Sequence, residues 1–263
     1  MKLALVQMEI SERTTEKNMQ KIERFIVQAA LQNVDIIVFP EDCVAGPAAK
    51  KRELYDFNQV NKKFFQKLAK ENSIDIVTGS WIESNSNGRY NTCYYIDANG
   101  KALARYRKIN LWRSEKPHVT AGNKPIVFQT KHCKAGLAVC WDLTDPLLFR
   151  KMAKKGAQII YCPSFWSSAG ISNFEIEKNN INALCHARAL ENELAIVYVN
   201  AAGKRAKNDE LIGHSQVVVP IKGAIARLNH NKEKMIITEL DLDILKRANS
   251  VYKIRNQIKS QLL

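Results

Sequence analysis

The chain has 263 residues, 46% of them hydrophobic and 8% aromatic, proportions that suit a folded enzyme and exclude a disordered chain. Its 40 Lys+Arg against 26 Asp+Glu give a formal charge of +14. The basic residues are scattered (Lys50-Lys51-Arg52, Lys62-Lys63, Lys154-Lys155, Lys204-Arg205) without interleaved aromatics, which favours a solvated surface over a nucleic-acid or membrane site.

The six cysteines, at positions 43, 93, 133, 140, 162 and 185, form no CxxC pair and have no histidine at metal spacing. Neither a zinc site nor a redox dithiol is expected. The apolar stretch 3–8 is too short and too polar for a signal-peptide core, and no run of 18 apolar residues occurs. A cytoplasmic protein with reduced thiols is the expectation.

Residues 3–8 are expected as a strand and 14–31 as an amphipathic helix with Ile22, Phe25, Ile26 and Ala29-Ala30 on one face. The apolar run 34–39 (VDIIVF) suits a strand buried on both sides, ending at Pro40-Glu41. Residues 48–72 are expected to be mostly helical, and 74–81 to form another buried strand. Segments 90–96 and 101–106, separated by Asp97-Ala98-Asn99-Gly100, suit a β-hairpin running into Arg107-Lys108.

A second hairpin, 125–129 with 135–139, delivers Cys140. Beyond it come a helix at 146–156, a strand at 157–162, a long helix at 173–192 and a strand at 194–200. Strands at 213–219, 224–228 and 234–240 and a helix at 241–248 complete the pattern. No linker, repeat or low-complexity segment interrupts it, so one domain over 1–263 is expected. Buried strands alternating with helices imply helix-covered sheets, and two stacked sheets accommodate this many strands better than one.

Three polar residues stand at ends of buried or half-buried strands: Glu41, Lys108 and Cys140. Taken singly they suit a helix cap, a surface lysine and core filler. Together they are chemically complementary. A carboxylate can take a thiol proton and later serve water. An ammonium is expected to depress the thiol's pKa and to stabilise an oxyanion, with the N–H of Trp141 as second donor.

Phe39-Pro40-Glu41, Tyr106-Arg107-Lys108 with Leu111, and Cys140-Trp141-Asp142 with Arg150 resemble the glutamate, lysine and nucleophile motifs of the nitrilase superfamily of carbon–nitrogen hydrolases. The resemblance continues in order through Gly156-Ala157, the segment from Pro163 to Trp166, Arg188 to Asn192, and Gly213-His214-Ser215 with Pro220. It implies an α/β fold, a four-layer α-β-β-α sandwich, and a homodimer or higher homo-oligomer. It implies a Glu-Lys-Cys triad of Glu41, Lys108 and Cys140, with Glu115 orienting Lys108. Trp141 and Trp166 fall on the substrate and oxyanion side. The implied reaction is hydrolysis of a small amide or N-carbamoyl compound through a cysteine thioester, with no metal and no organic cofactor, no nucleic-acid partner and no membrane. An acyltransferase using the same residues, or a polyanion-binding protein, are the competing readings.

The chain also departs from the family pattern. Asp145 and Leu147 stand where many relatives carry an aromatic and a glutamate, and no Arg-Arg-Pro-like ending precedes Leu263. Leu143 and Thr144 supply no cation after the cysteine. With Asp142 and Asp145 close by, this leans toward a neutral or amine-bearing substrate and away from a carboxylate.

Overall fold

A computed structural model of the chain describes residues 1–168, 173–206 and 209–260. Two six-stranded sheets form its centre. In chain order the first contains β1 (Lys2–Gln7), β2 (Ile36–Val38), β3 (Asp75–Asn85), β4 (Gly88–Ile96) and β5 (Ala102–Arg107). The second begins with β6 (Val127–Gln129), β7 (Lys134–Leu137), β8 (Ile159–Ser164) and β9 (Ala195–Asn200). A small hairpin, β10 (Lys204–Ala206) with β11 (Asp209–Glu210), follows. β12 (Gln216–Val219) and β13 (Gly223–Arg227) complete the second sheet, and β14 (Lys234–Glu239) returns to the first.

The sheet orders are β14-β1-β2-β3-β4-β5 and β13-β12-β9-β8-β7-β6. Each has a parallel centre, β1-β2-β3 in one and β7-β8-β9 in the other, flanked by antiparallel strands. Parallel strands need helical crossovers. Here α1 (Thr15–Ala30) and α2 (Val60–Asn72) serve the first sheet, and α3 (Pro146–Lys154) and α4 (Phe174–Asn192) the second.

Alternation along β1 shows the layering. Leu3 and Leu5 join Leu137, Tyr161 and Val197 in the core between the sheets, whereas Ala4 and Val6 join Ile22, Phe25 and Phe65 beneath α1 and α2. Because both faces of β1 are covered, its run is apolar throughout and not alternating. α3 and α4 cover the outer face of the second sheet with Phe149, Met152, Ile181, Cys185 and Ala189. The result is the expected α-β-β-α sandwich.

Three expectations change. Residues 48–59 are not helical: only a 3-10 turn at Arg52–Leu54 forms, and α2 starts at Val60. Asp56 decides this start, because its carboxylate accepts from the N–H groups of Asn58, Val60 and Asn61. β3 runs past Trp81 to Asn85 and turns tightly into β4. The C-terminal helix, α5 (Asp243–Tyr252), is longer than expected and leads into α6 (Ile254–Ser260). Glu193 ties them down, accepting from the side chain of Asn249 and the N–H groups of Ile254 and Arg255. Among the described residues no helix is long and apolar enough to cross a membrane.

Candidate active site

Glu41 lies just past β2, where Phe39 N–H still bonds to Val77 O at 3.0 Å. Neighbouring β3 passes so close that a Cβ on Gly79 would stand 2.1 Å from Pro40 O. Only glycine fits there, and at φ +71° it also supplies the backbone. Lys108 follows β5 with its N–H on Asn91 O at 2.8 Å, so it continues the β4–β5 ladder. Gly122 crosses behind it, and a Cβ there would lie 2.1 Å from Arg107 O.

Cys140 opens a 3-10 turn, Cys140–Thr144, separated from β7 by Ala138 and Val139. Its φ of +49° is left-handed, a strained conformation for a residue with a side chain. The buried Asp142 holds it. Asp142 accepts from Val139 N–H (2.9 Å), Tyr106 Oη (2.7 Å), Asn110 N–H (2.7 Å) and Asn110 Nδ2 (3.1 Å). Burial pushes the Asp142 carboxyl up to about 6, against the pull of these donors. Asp145 caps α3 through Leu147 and Leu148 N–H and takes a further bond from Asn110. Both aspartates are spent on the scaffold, so they give no ground for an amine-bearing substrate.

The elements bring Glu41, Lys108, Glu115 and Cys140 to one cavity of about 520 Å³. Lys108, 1% exposed, reaches Glu41 Oε1 at 2.8 Å and Glu115 Oε2 at 2.7 Å. Glu115 is no exposed loop carboxylate. It is buried, accepts Trp112 N–H at 2.7 Å, and folds its own turn through Trp112 O and Val119 N–H. Burial raises the Glu115 carboxyl, but Lys108, Asn91 and Trp112 outweigh it and hold it below the usual range. For Lys108 burial works downward, and the two glutamates outweigh it and drive its ammonium well up.

The thiol differs from expectation. Lys108 does pull the Cys140 thiol down, but burial, with Glu41's charge as the next contributor, pushes it well above its ordinary value. The ammonium's charge is already shared by two carboxylates, so it does not make a resting thiolate. Cys140 lines the same cavity as Glu41, which accepts Phe165 N–H on Oε2 at 2.9 Å.

Trp141 and Trp166 both line the cavity, with ring centroids 5.2 Å apart, and Trp112 stands edge-on to Trp141 at 4.4 Å. Trp166 is fixed by Asn200, which accepts its N–H and donates to its carbonyl, and its indole N–H donates to Glu177 at 2.8 Å. Sequence inspection missed Asn91, whose amide bridges Glu41 and Glu115 at 2.9 Å each. It also missed Asp42, driven up by burial and by Glu41 and Glu115, and Arg205 in the cavity wall. Arg205 lies over the Phe165 ring at 5.1 Å and pairs with Glu12 and Asp209. The only sequence signal for Asn91 is an amide beside Thr92 in a strand otherwise rich in aromatic residues. Arg205 sits on a hairpin too short and polar to recognise.

A family model described as Carbon-nitrogen hydrolase matches residues 2–249. The Omega-amidase NIT2 of Xenopus tropicalis is 28% identical, the match covering 99% of this chain and 96% of that protein. The 2-oxoglutaramate amidase of Bacillus subtilis is 27% identical over 91% of this chain and 90% of its own length. Among solved structures, Saccharomyces cerevisiae Nit3, a member of branch 10 of the nitrilase superfamily, superposes with a TM-score of 0.86 at 25% identity. That superposition covers 96% of this chain and 94% of Nit3. With a family match over nearly its full length and the same fold as a nitrilase-superfamily member, the chain belongs to the carbon-nitrogen hydrolase family.

Proposed function

We propose that the chain hydrolyses a small-molecule amide or N-carbamoyl compound through a thioester on Cys140. The observation that carries this is a strained cysteine sharing one cavity with a buried carboxylate that a buried ammonium holds. Because the thiol is neutral at rest, Glu41 takes its proton as sulfur attacks the carbonyl carbon. Lys108 Nζ and Trp141 N–H receive the oxyanion. Glu41 returns the proton to the leaving nitrogen, and ammonia or an amine departs. Water then attacks the thioester carbonyl, giving its proton to Glu41, and the acid leaves as the thiol is restored. Glu115 holds Lys108 throughout, and Trp141 and Trp166 form the wall against which the substrate lies.

The relatives named for 2-oxoglutaramate and omega-amides support amides over nitriles. Asp142 and Asp145 hold the turn and the helix after Cys140, which removes the ground for excluding a substrate carboxylate. The test is ammonia release over a panel of neutral amides, amine-bearing carbamoyl compounds and dicarboxylate monoamides. Release from none of them defeats the proposal. Acyl transfer is the second outcome, marked by amide products when an amine acceptor is added. The exposed Leu147, Ile176 and Leu190 on α3 and α4 support association into a homodimer, which light scattering tests.

A further inference from the structure

Four side chains close a ring. Lys108 Nζ bonds Glu41 Oε1 and Glu115 Oε2, and opposite it Asn91 Nδ2 bonds Glu41 Oε1 and Glu115 Oε1, each at 2.9 Å. Asn91 is 1% exposed and is fixed on β4 by its carbonyl, which accepts Lys108 N–H. Its Oδ1 is buried without a hydrogen-bond partner. Burying an amide oxygen unpaired carries a free-energy cost that turning the amide would not cure, because Oδ1 would then face two carboxylate oxygens. The amide is therefore held in the orientation that donates to both glutamates.

The consequence falls on Glu41. Its Oε1 accepts from both Lys108 and Asn91, so the proton-accepting role is left to Oε2, which also carries the Phe165 N–H bond. We propose that Asn91 is a positioning residue that clamps Glu41 and Glu115 on either side of Lys108 and aims Glu41 Oε2 at the Cys140 thiol. This rests on the thioester mechanism above. The titratable groups acting around Glu41 are Lys108, Glu115, Asp42 and Cys140, with Cys93 and Cys162 behind it.

The test compares wild type with Asn91→Ala, Asn91→Ser and Asn91→Asp. In Asn91→Ala, kcat should fall about 10- to 100-fold, the loss expected for a hydrogen bond to a charged group, while KM changes little. The acid limb of kcat/KM should move to higher pH, because Glu115, held low in part by the Asn91 amide, has lost that donor. Asn91→Asp should be worse than Asn91→Ala at pH 8, where a third carboxylate repels the other two. The gap should narrow as pH falls and the new carboxyl regains a proton to donate. Asn91→Ser keeps a small donor and guards against a variant that merely fails to fold.

Iodoacetamide labelling of Cys140 as a function of pH needs no substrate and reads the same geometry. It should show the same displacement in the folded variants. Equal losses in all three variants at every pH, or a KM effect alone, overturn the proposal. If wild type hydrolyses none of the amides but the labelling profile shifts, the thioester reading fails and the positioning role stands.

Discussion

Replacing Lys108 by Met tests how the buried charges are balanced. Lys108 is 1% exposed and sits 2.8 and 2.7 Å from two carboxylates. At an effective dielectric of about 20 each contact is worth roughly 6 kcal/mol of attraction, most of it offset by taking three ions out of water. Removing one partner of such a cluster costs about 3–5 kcal/mol, because the remaining charges are left uncompensated. The sign with pH follows from the carboxylates. In wild type Glu115 is held below its ordinary 4.5, so its contribution is present above that value and is lost as pH falls through the folded one. In Lys108→Met, burial is no longer outweighed and the Glu115 carboxyl rises, so the variant gains stability as pH falls. Urea unfolding should therefore show the full deficit at pH 7 and a smaller one near pH 4. The double variant Lys108→Met/Glu115→Gln should recover part of the lost stability while activity stays down by about 10²–10³, the usual loss for one oxyanion donor. A deficit independent of pH, or a double variant no more stable than the single one, refutes the reasoning.

Gly79→Ala should unfold the protein or displace Glu41, since the new Cβ meets Pro40 O at 2.1 Å; thermal unfolding and activity should fall together. Asp142→Ala leaves Tyr106 Oη and the Val139 and Asn110 N–H groups buried without an acceptor, about 1–3 kcal/mol for each unpaired group, read by urea midpoint. It should also slow alkylation of Cys140 by releasing the strained turn. Trp166→Phe keeps the ring but loses the Glu177 bond, so KM should rise more than kcat falls. Iodoacetamide with peptide mapping should label Cys140 ahead of the other five thiols. All six are buried, but Cys140 lines the cavity with a carboxylate beside it.

Much of the fold was legible because both faces of the central strands are covered. Their apolar runs at Ile36–Val38 and Ala195–Asn200 stand out from the helices between them. What escaped depends on contacts distant in sequence. The late start of α2 is set by one carboxylate at Asp56, and α6 is anchored through Glu193, neither of which leaves a periodic trace. At the candidate site, residue types at strand ends singled out Glu41, Lys108 and Cys140, and the family resemblance added Glu115. The direction of the thiol's shift was not legible, because it depends on how two carboxylates share one ammonium. The Asp142 and Asp145 side chains invited a substrate role from proximity in sequence, yet the fold uses both to hold the turn and the helix that follow Cys140.

The most direct measurement is mass spectrometry of enzyme quenched in acid during turnover of a small amide, followed by peptide mapping. An adduct on Cys140 equal to the substrate less ammonia, absent in a folded Cys140→Ala variant that has lost turnover, is the expected result. An adduct on another residue, or continued amide hydrolysis by Cys140→Ala, would contradict the account.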